Sequence, residues 1–198
     1  MDDPQPTRFS LLARLKDPGD ERAWGEFLEI YTPVVYGFSR KCGLQDADAT
    51  DVTQEVFRTV FRSIGGFQCE RDRGSFRAWL MAVVRSRLGD YFATRGKHVR
   101  GTGDTATLAF LDGQPAADEQ AAVWEKEYRK AVFEWAARRI RDDFQDSTWQ
   151  AFWMTCVVGQ NTKDVADALG MTTGAVYIAK CRVTARLKKE IQEVQEEE

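Results

Sequence analysis

A chain of 198 residues, with 28 lysines and arginines against 31 aspartates and glutamates and a single histidine, can bury one medium hydrophobic core or two small ones. No apolar run approaches the length that spans a bilayer. The first residues, with Asp2, Asp3, Pro4 and Pro6, lack the basic-then-apolar order of a secretory signal, so a cytoplasmic protein with no membrane partner is expected.

Helix punctuation dominates the chain and period-two alternation is scarce, which predicts an all-α fold. Asp20 can cap a helix that carries Trp24, Phe27, Leu28 and Tyr31 on one stripe. Pro33 then restarts the chain, because proline suits a first helical turn and not an interior. The second helix carries Val34, Val35 and Phe38 and ends near Gly43. A third runs from about Asp48 to Ile64, with Val52, Val56 and Val60, and Phe57, Phe61 and Ile64, at helical spacing. Ser75 caps a fourth that reaches about Arg95, with Phe76, Leu80 and Val83 on its apolar stripe. Residues 96–118 turn to Gly, Thr, Asp and Pro and read as a flexible interdomain linker. Helices resume over about Glu119 to Arg141 and, capped by Ser147, over Thr148 to Val158 before Gly159. Two short final helices meet at Gly170. The expectation is therefore two small helical domains, 1–95 and 119–198, joined by 96–118.

The net charge of −3 conceals two basic stretches. Between Arg71 and Arg100 eight bases face only Asp72 and Asp90, and from Lys180 to Lys189 five bases face no acid. That pattern fits phosphate contacts at two places, and equally two solvated helix faces. Cys42, Cys69, Cys156 and Cys181 lie too far apart for a zinc or redox pair and read as reduced, mostly core-filling thiols. His98, the sole histidine, sits at the basic edge of the linker. No metal, cofactor or catalytic site is expected, and the chain is read as not an enzyme.

The most specific local signal is Thr162 to Val176. Ala166 is small where two helices cross, Val165, Leu169, Met171 and Val176 supply a shared core, and Gly170 suits a turn that needs positive φ. Thr172 can cap the second helix. This is a helix-turn-helix pattern, whose second helix enters the major groove with its N-terminal residues toward base edges. Thr173 and Tyr177 become base-reading candidates, and Lys180, Arg182 and Lys188 phosphate candidates, with Lys180 close to the buried seam. A second signal is Phe76-Arg77-Ala78-Trp79-Leu80 followed by Arg85, Ser86 and Arg87. Rings among cations suit single-stranded DNA, although Phe76 and Trp79 in such a pattern are more often core than DNA platforms.

Taken together, Asp48-Ala49-Thr50-Asp51-Val52-Thr53-Gln54-Glu55-Val56-Phe57, then Ser75 to Leu80, a linker and a C-terminal helix-turn-helix resemble the sigma-70 family in its small extracytoplasmic-function type. The resemblance runs from about Leu11 to Leu187. It implies an RNA polymerase sigma factor, with region two N-terminal and region four C-terminal. It implies that Asp51, Gln54, Glu55 and Phe57 bind the clamp helices of the polymerase core's largest subunit, and helical spacing puts Arg58 beside Asp51, Gln54 and Glu55 on the outer side of the same helix as a further core-binding candidate. It also implies that Phe76, Arg77, Trp79 and Arg85, with Ser86 at a neighbouring family position, handle the minus-ten element, and that the helix-turn-helix, with Thr172, Thr173, Tyr177, Lys180, Arg182 and Lys188 as its candidates, engages the minus-35 element of promoter DNA. An anti-sigma factor is a further implied partner. Three departures from the family stand out: Ser86, where an asparagine is frequent; Gly89 to Thr94, which is less basic than in many relatives; and Ala179, where a basic side chain is common. The alternative is a helix-turn-helix regulator that acts without core polymerase, which leaves Asp51 to Phe57 unexplained. A carboxylate enzyme built on Asp48, Asp51 and Glu55 lacks the Glu-x-x-His ligands of a diiron bundle.

Overall fold

The computed structural model describes residues 11–67, 75–99 and 117–196, with side chains described for all of these except 95–99, 117–118 and 195–196. Every regular element among the described residues is helical. They are α1 (Leu11–Arg14), α2 (Glu21–Lys41), α3 (Asp46–Ser63), α4 (Phe76–Val99), α5 (Ala117–Ile140), α6 (Asp146–Phe152), α7 (Thr162–Leu169) and α8 (Thr173–Glu196). Short 3₁₀ turns follow α3 and α5, and a π turn, Trp153–Val157, follows α6. The described residues form two compact units, one running to Ala131 and one of Val132–Glu196, so the division falls within α5. Cys69, Arg71, Arg73 and most of the 96–118 segment lie outside the described residues.

In the first unit α2 starts where Asp20 accepts the backbone N–H of Ala23 at 2.9 Å. The Arg14 guanidinium beside it, then that N–H, hold the Asp20 carboxyl below the ordinary carboxylate range. Pro33 does not restart the chain: α2 runs unbroken through it. Proline removes one N–H and so leaves the Glu29 carbonyl without its helical partner, but Glu29 and Pro33 are both exposed and water can satisfy that group. Ile30, Tyr31, Val34 and Val35, before and after the proline, are all buried, and this packing keeps the helix continuous. Val52, Val56 and Val60 of α3 face the same core. In α4 the buried stripe is Phe76, Leu80, Val84, Leu88 and Phe92, a strict four-residue step. Val83, placed on that stripe by the sequence reading, is half-buried one position off it.

The first half of α5 belongs to this unit. Trp124 packs edge-on to Phe38 at 5.4 Å and Tyr128 lies 6.0 Å from Tyr31, both new rings being buried. Packed rings of this kind add roughly 0.5–1.5 kcal/mol per pair beyond the area they bury.

The second unit is built on Ala151, Val165, Ala166, Val176 and Ala179, with Met154, Leu169 and Met171 against them. Its α6 starts at Asp146 after Gln145, not after a Ser147 cap, and ends at Phe152 in the π turn. Gly159 and Gly170 take φ of +82° and +62°, the left-handed backbone that a Cβ opposes. The final element is one 24-residue helix and not a short one. Its C-terminal half is held by Glu190, buried at 4% exposure. That carboxylate accepts from Arg139 at 2.7 Å and from Arg186 at 2.6 Å, and Arg186 also reaches Asp143 at 3.0 Å. The cysteines depart from the core-filler expectation. Cys42 is half-buried, its thiol pushed up to about 11 by burial, whereas Cys156 and Cys181 are exposed.

Candidate functional site

Three surfaces carry the residues singled out in the sequence. The first is the outer side of α3. Because Val52, Val56 and Val60 fix the buried face, the helical period turns Asp51, Gln54, Glu55 and Arg58 to the exterior, and all four are exposed. Arg58 is ion-paired to Glu55 one turn back. These residues form a ridge between two depressions. On one side Asp51 and Glu55, with Asp48, line an acidic cleft completed by Arg87, Asp90 and Tyr91 of α4. On the other, Gln54, Phe57 and Arg58 line a groove with Trp24, Leu28, Phe61 and Arg62. Leu28 and Phe61 were read from the sequence as members of apolar core stripes. They are instead 38% and 52% exposed, because each stripe is wider than the contact between α2 and α3. Phe61 lies against the Trp24 ring at 5.1 Å. Exposed apolar side chains flanked by paired charges are the composition of a protein-binding patch, and hydrophobic periodicity alone could not separate them from core.

The second surface is α4. Ser75 caps it by accepting the Ala78 N–H at 3.3 Å. Phe76, expected among the minus-ten residues, is fully buried between Phe27, Tyr31 and Phe67. Its ring is therefore core, and it offers no stacking face to a base in this conformation. Trp79 is half-buried against Phe67 at 5.1 Å and Phe76 at 5.4 Å. Arg77 donates to Glu125 of α5 at 3.2 Å and lies over the Tyr128 ring at 4.6 Å. Arg85 and Ser86 are exposed. The expected minus-ten set is thus divided between the interior, an intra-unit contact and the exterior.

The third surface is the helix-turn-helix of α7 and α8. Asn161 caps α7 by accepting the Lys163 N–H at 2.8 Å. Gly170 makes the turn, and the Thr172 hydroxyl accepts the Ala175 N–H at 3.1 Å, so Thr172 acts as the cap of α8. Val165 and Ala166 pack against Val176 and Ala179 in the shared core. Thr173, Arg182 and Lys188 are exposed and Tyr177 is 64% exposed. Lys180 is half-buried at the edge of the seam. Ile178, 60% exposed beside Tyr177, was not singled out by the sequence reading. Arg186, although in the same basic run, is committed to Asp143 and Glu190 and held charged chiefly by Glu190.

Residues 27–98, which include the α3 ridge and most of α4, match the sequence model of sigma-70 region 2. Over 185 residues the chain is 25% identical to the RNA polymerase sigma factor CnrH of Cupriavidus metallidurans, covering 89% of this chain and 91% of that protein. It is 28% identical over 181 residues to the ECF RNA polymerase sigma factor SigD of Mycobacterium tuberculosis, covering 87% and 79%. The solved structure of CnrH in complex with the cytosolic domain of CnrY is similar at 20% identity over 92% of this chain and 95% of that one, with a TM-score of 0.36.

Proposed function

We propose that this chain, which belongs to the sigma-70 family and to its extracytoplasmic-function type, joins RNA polymerase core and directs it to promoters by engaging the minus-ten and minus-35 elements. The named relatives are sigma factors, which are initiation factors and not enzymes. Nucleotidyl transfer belongs to the polymerase, and the work of this chain is positional. Docking on core holds both DNA-facing surfaces near one template. Once one element is engaged, the second binds at an effective concentration set by the intervening chain and not by free solution.

The observation that carries the reading is the α3 ridge, where Asp51, Gln54, Glu55 and Arg58 stand exposed beside the apolar groove of Leu28, Phe57 and Phe61. We assign this ridge to the clamp helices of the largest polymerase subunit. The acidic cleft at Asp51 and Glu55 would receive basic side chains, and the groove an apolar anchor. On the DNA side we assign Arg85 and Ser86, and Trp79 and Arg77 once they leave their present contacts, to the minus-ten element. Thr172, Thr173 and Tyr177, flanked by Lys180, Arg182 and Lys188, are assigned to the minus-35 element. A cytoplasmic location accords with this role, and an anti-sigma factor is the regulator that the family resemblance implies.

Charge reversal tests it. Asp51→Lys and Glu55→Lys place a like charge against a basic partner and are expected to weaken core binding by roughly tenfold or more, with helicity unchanged because both positions are exposed. Fluorescence anisotropy of labelled chain titrated with core reads the affinity, and wild-type affinity in both variants would remove the ridge from the interface.

A further inference from the structure

Helix α8 is apolar on two opposite sides. One is the buried seam of Val176, Ala179, Val183 and Leu187. The other consists of Gly174, Tyr177, Ile178, Cys181 and Ala185, all exposed, with Tyr177 and Ile178 at 64% and 60%. These five recur at intervals of three, one, three and four residues, so they form one stripe along a helix of 3.6 residues per turn, opposite the seam. A helix packed along one side and bathed on the other carries polar residues outward; an outward apolar stripe implies that something covers it.

The surroundings of the stripe identify the cover. Exposed Arg182 and Lys189 run along one side of it and Lys188 closes its C-terminal end, and α8 has no acidic residue before Glu190, itself buried under Arg139 and Arg186. The occupant must be anionic at its edges and apolar along its floor. The DNA major groove has that character: phosphates line its rims, and each thymine presents a 5-methyl group on the floor, which apolar side chains contact directly. The stripe also begins in the first turn of the second helix of the helix-turn-helix, the part that points at base edges.

We infer that Ile178 and Cys181, with the edge of the Tyr177 ring, recognise thymine methyl groups, so that the minus-35 element served by this chain carries thymine opposite this stripe. The inference rests on the assignment of α8 to the minus-35 element. It gives hydrogen-bond reading to Thr173 and phosphate contacts to Arg182 and Lys188, and it leaves the central turns of the helix to methyl contacts.

Replacing thymine by uracil, which lacks only that methyl, tests it. Holoenzyme assembled from the full chain and core polymerase is used to select duplexes from a random minus-35 library, and the selected duplex is then remade with uracil at each thymine in turn. Uracil opposite the stripe is expected to lower affinity by about fourfold for each packed methyl. Ile178→Ala, an exposed change to a better helix former, should lower affinity for the thymine duplex and abolish the uracil penalty at the thymine that Ile178 packs against. A uracil penalty that persists undiminished in Ile178→Ala and Cys181→Ser would overturn the assignment of the methyl contact to this stripe. If uracil costs nothing while Thr173→Ala or Tyr177→Ala still changes the selected sequences, α8 reads bases but not methyls, and this inference fails alone. If neither the uracil exchange nor any of these variants changes selection, the minus-35 assignment fails with it, and the stripe is covered by protein.

Discussion

Helices α4 and α8 are both assigned to DNA, yet their candidate side chains stand in opposite conditions. In α4, Phe76 is buried, Trp79 is packed between Phe67 and Phe76, and Arg77 is engaged by Glu125 and Tyr128. In α8, Thr173, Tyr177, Ile178 and Arg182 face solvent. An aromatic and basic segment can be accounted for by packing alone, since a ring that fills a core and a guanidinium that pairs across helices need no ligand. An exposed apolar stripe has no such internal account. The stripe of α8 is therefore the stronger evidence of a partner, and of the α4 candidates only Arg85 and Ser86 stand exposed, while Arg77 must rearrange before it can serve one.

The comparison can be broken first by stability. Phe76→Ala removes a fully buried ring and is expected to cost about 3–5 kcal/mol, while Ile178→Ala should fall within about 0.5 kcal/mol of wild type. Urea unfolding of the two variants reads this directly, and equal costs would erase the distinction between the helices. The next largest effect concerns what holds α8 in place. Glu190→Gln weakens two charge-assisted hydrogen bonds, one from Arg139 that ties α8 to α5 and one from Arg186 one turn back in α8 itself, the arginine that also reaches Asp143 in the turn after α5. Because both arginines are more than a third exposed, water softens the loss, and about 1–3 kcal/mol is expected, with the unfolding of the second unit moved to lower urea. The smallest effect is the one that sharpens the α4 side. A double-mutant cycle of Arg77→Ala with Glu125→Ala should give a coupling of about 1 kcal/mol or less for this partly exposed pair. A coupling of zero would mean that Glu125 does not restrain Arg77, leaving its contact with the Tyr128 ring on α5.

Much of this architecture was legible in the sequence because helices announce their ends chemically. Asp20, Ser75 and Thr172 all cap as their side chains suggest, and Gly170 takes the positive φ that its place in the turn demanded. The errors share a cause: local rules were overruled by packing. Pro33 lies inside α2 because buried residues continue on both sides of it, and α8 runs long because Glu190 ties it down. Leu28, Phe61, Cys156 and Cys181 are exposed despite apolar character, since periodicity states which side of a helix is apolar and not whether anything covers it. Phe76 illustrates the converse, a residue that motif resemblance pointed outward and the core claimed. Ile178 was missed because an aliphatic residue in a recognition helix looks like core until the seam opposite it is seen to be complete. The role of the first half of α5 was not readable at all, since Trp124, Glu125 and Tyr128 gain meaning only from Phe38, Arg77 and Tyr31, far away in the chain.

The most direct test of the central claim is run-off transcription from a genomic DNA library with purified core polymerase, with and without this chain. The account predicts start sites that appear only when the chain is added, that share two upstream elements, and that are lost when Asp51→Lys or Glu55→Lys replaces the wild type. Absence of chain-dependent start sites, with the chain alone binding duplex DNA through α8 at the same sequences, would contradict it and make the protein a helix-turn-helix regulator that acts without core.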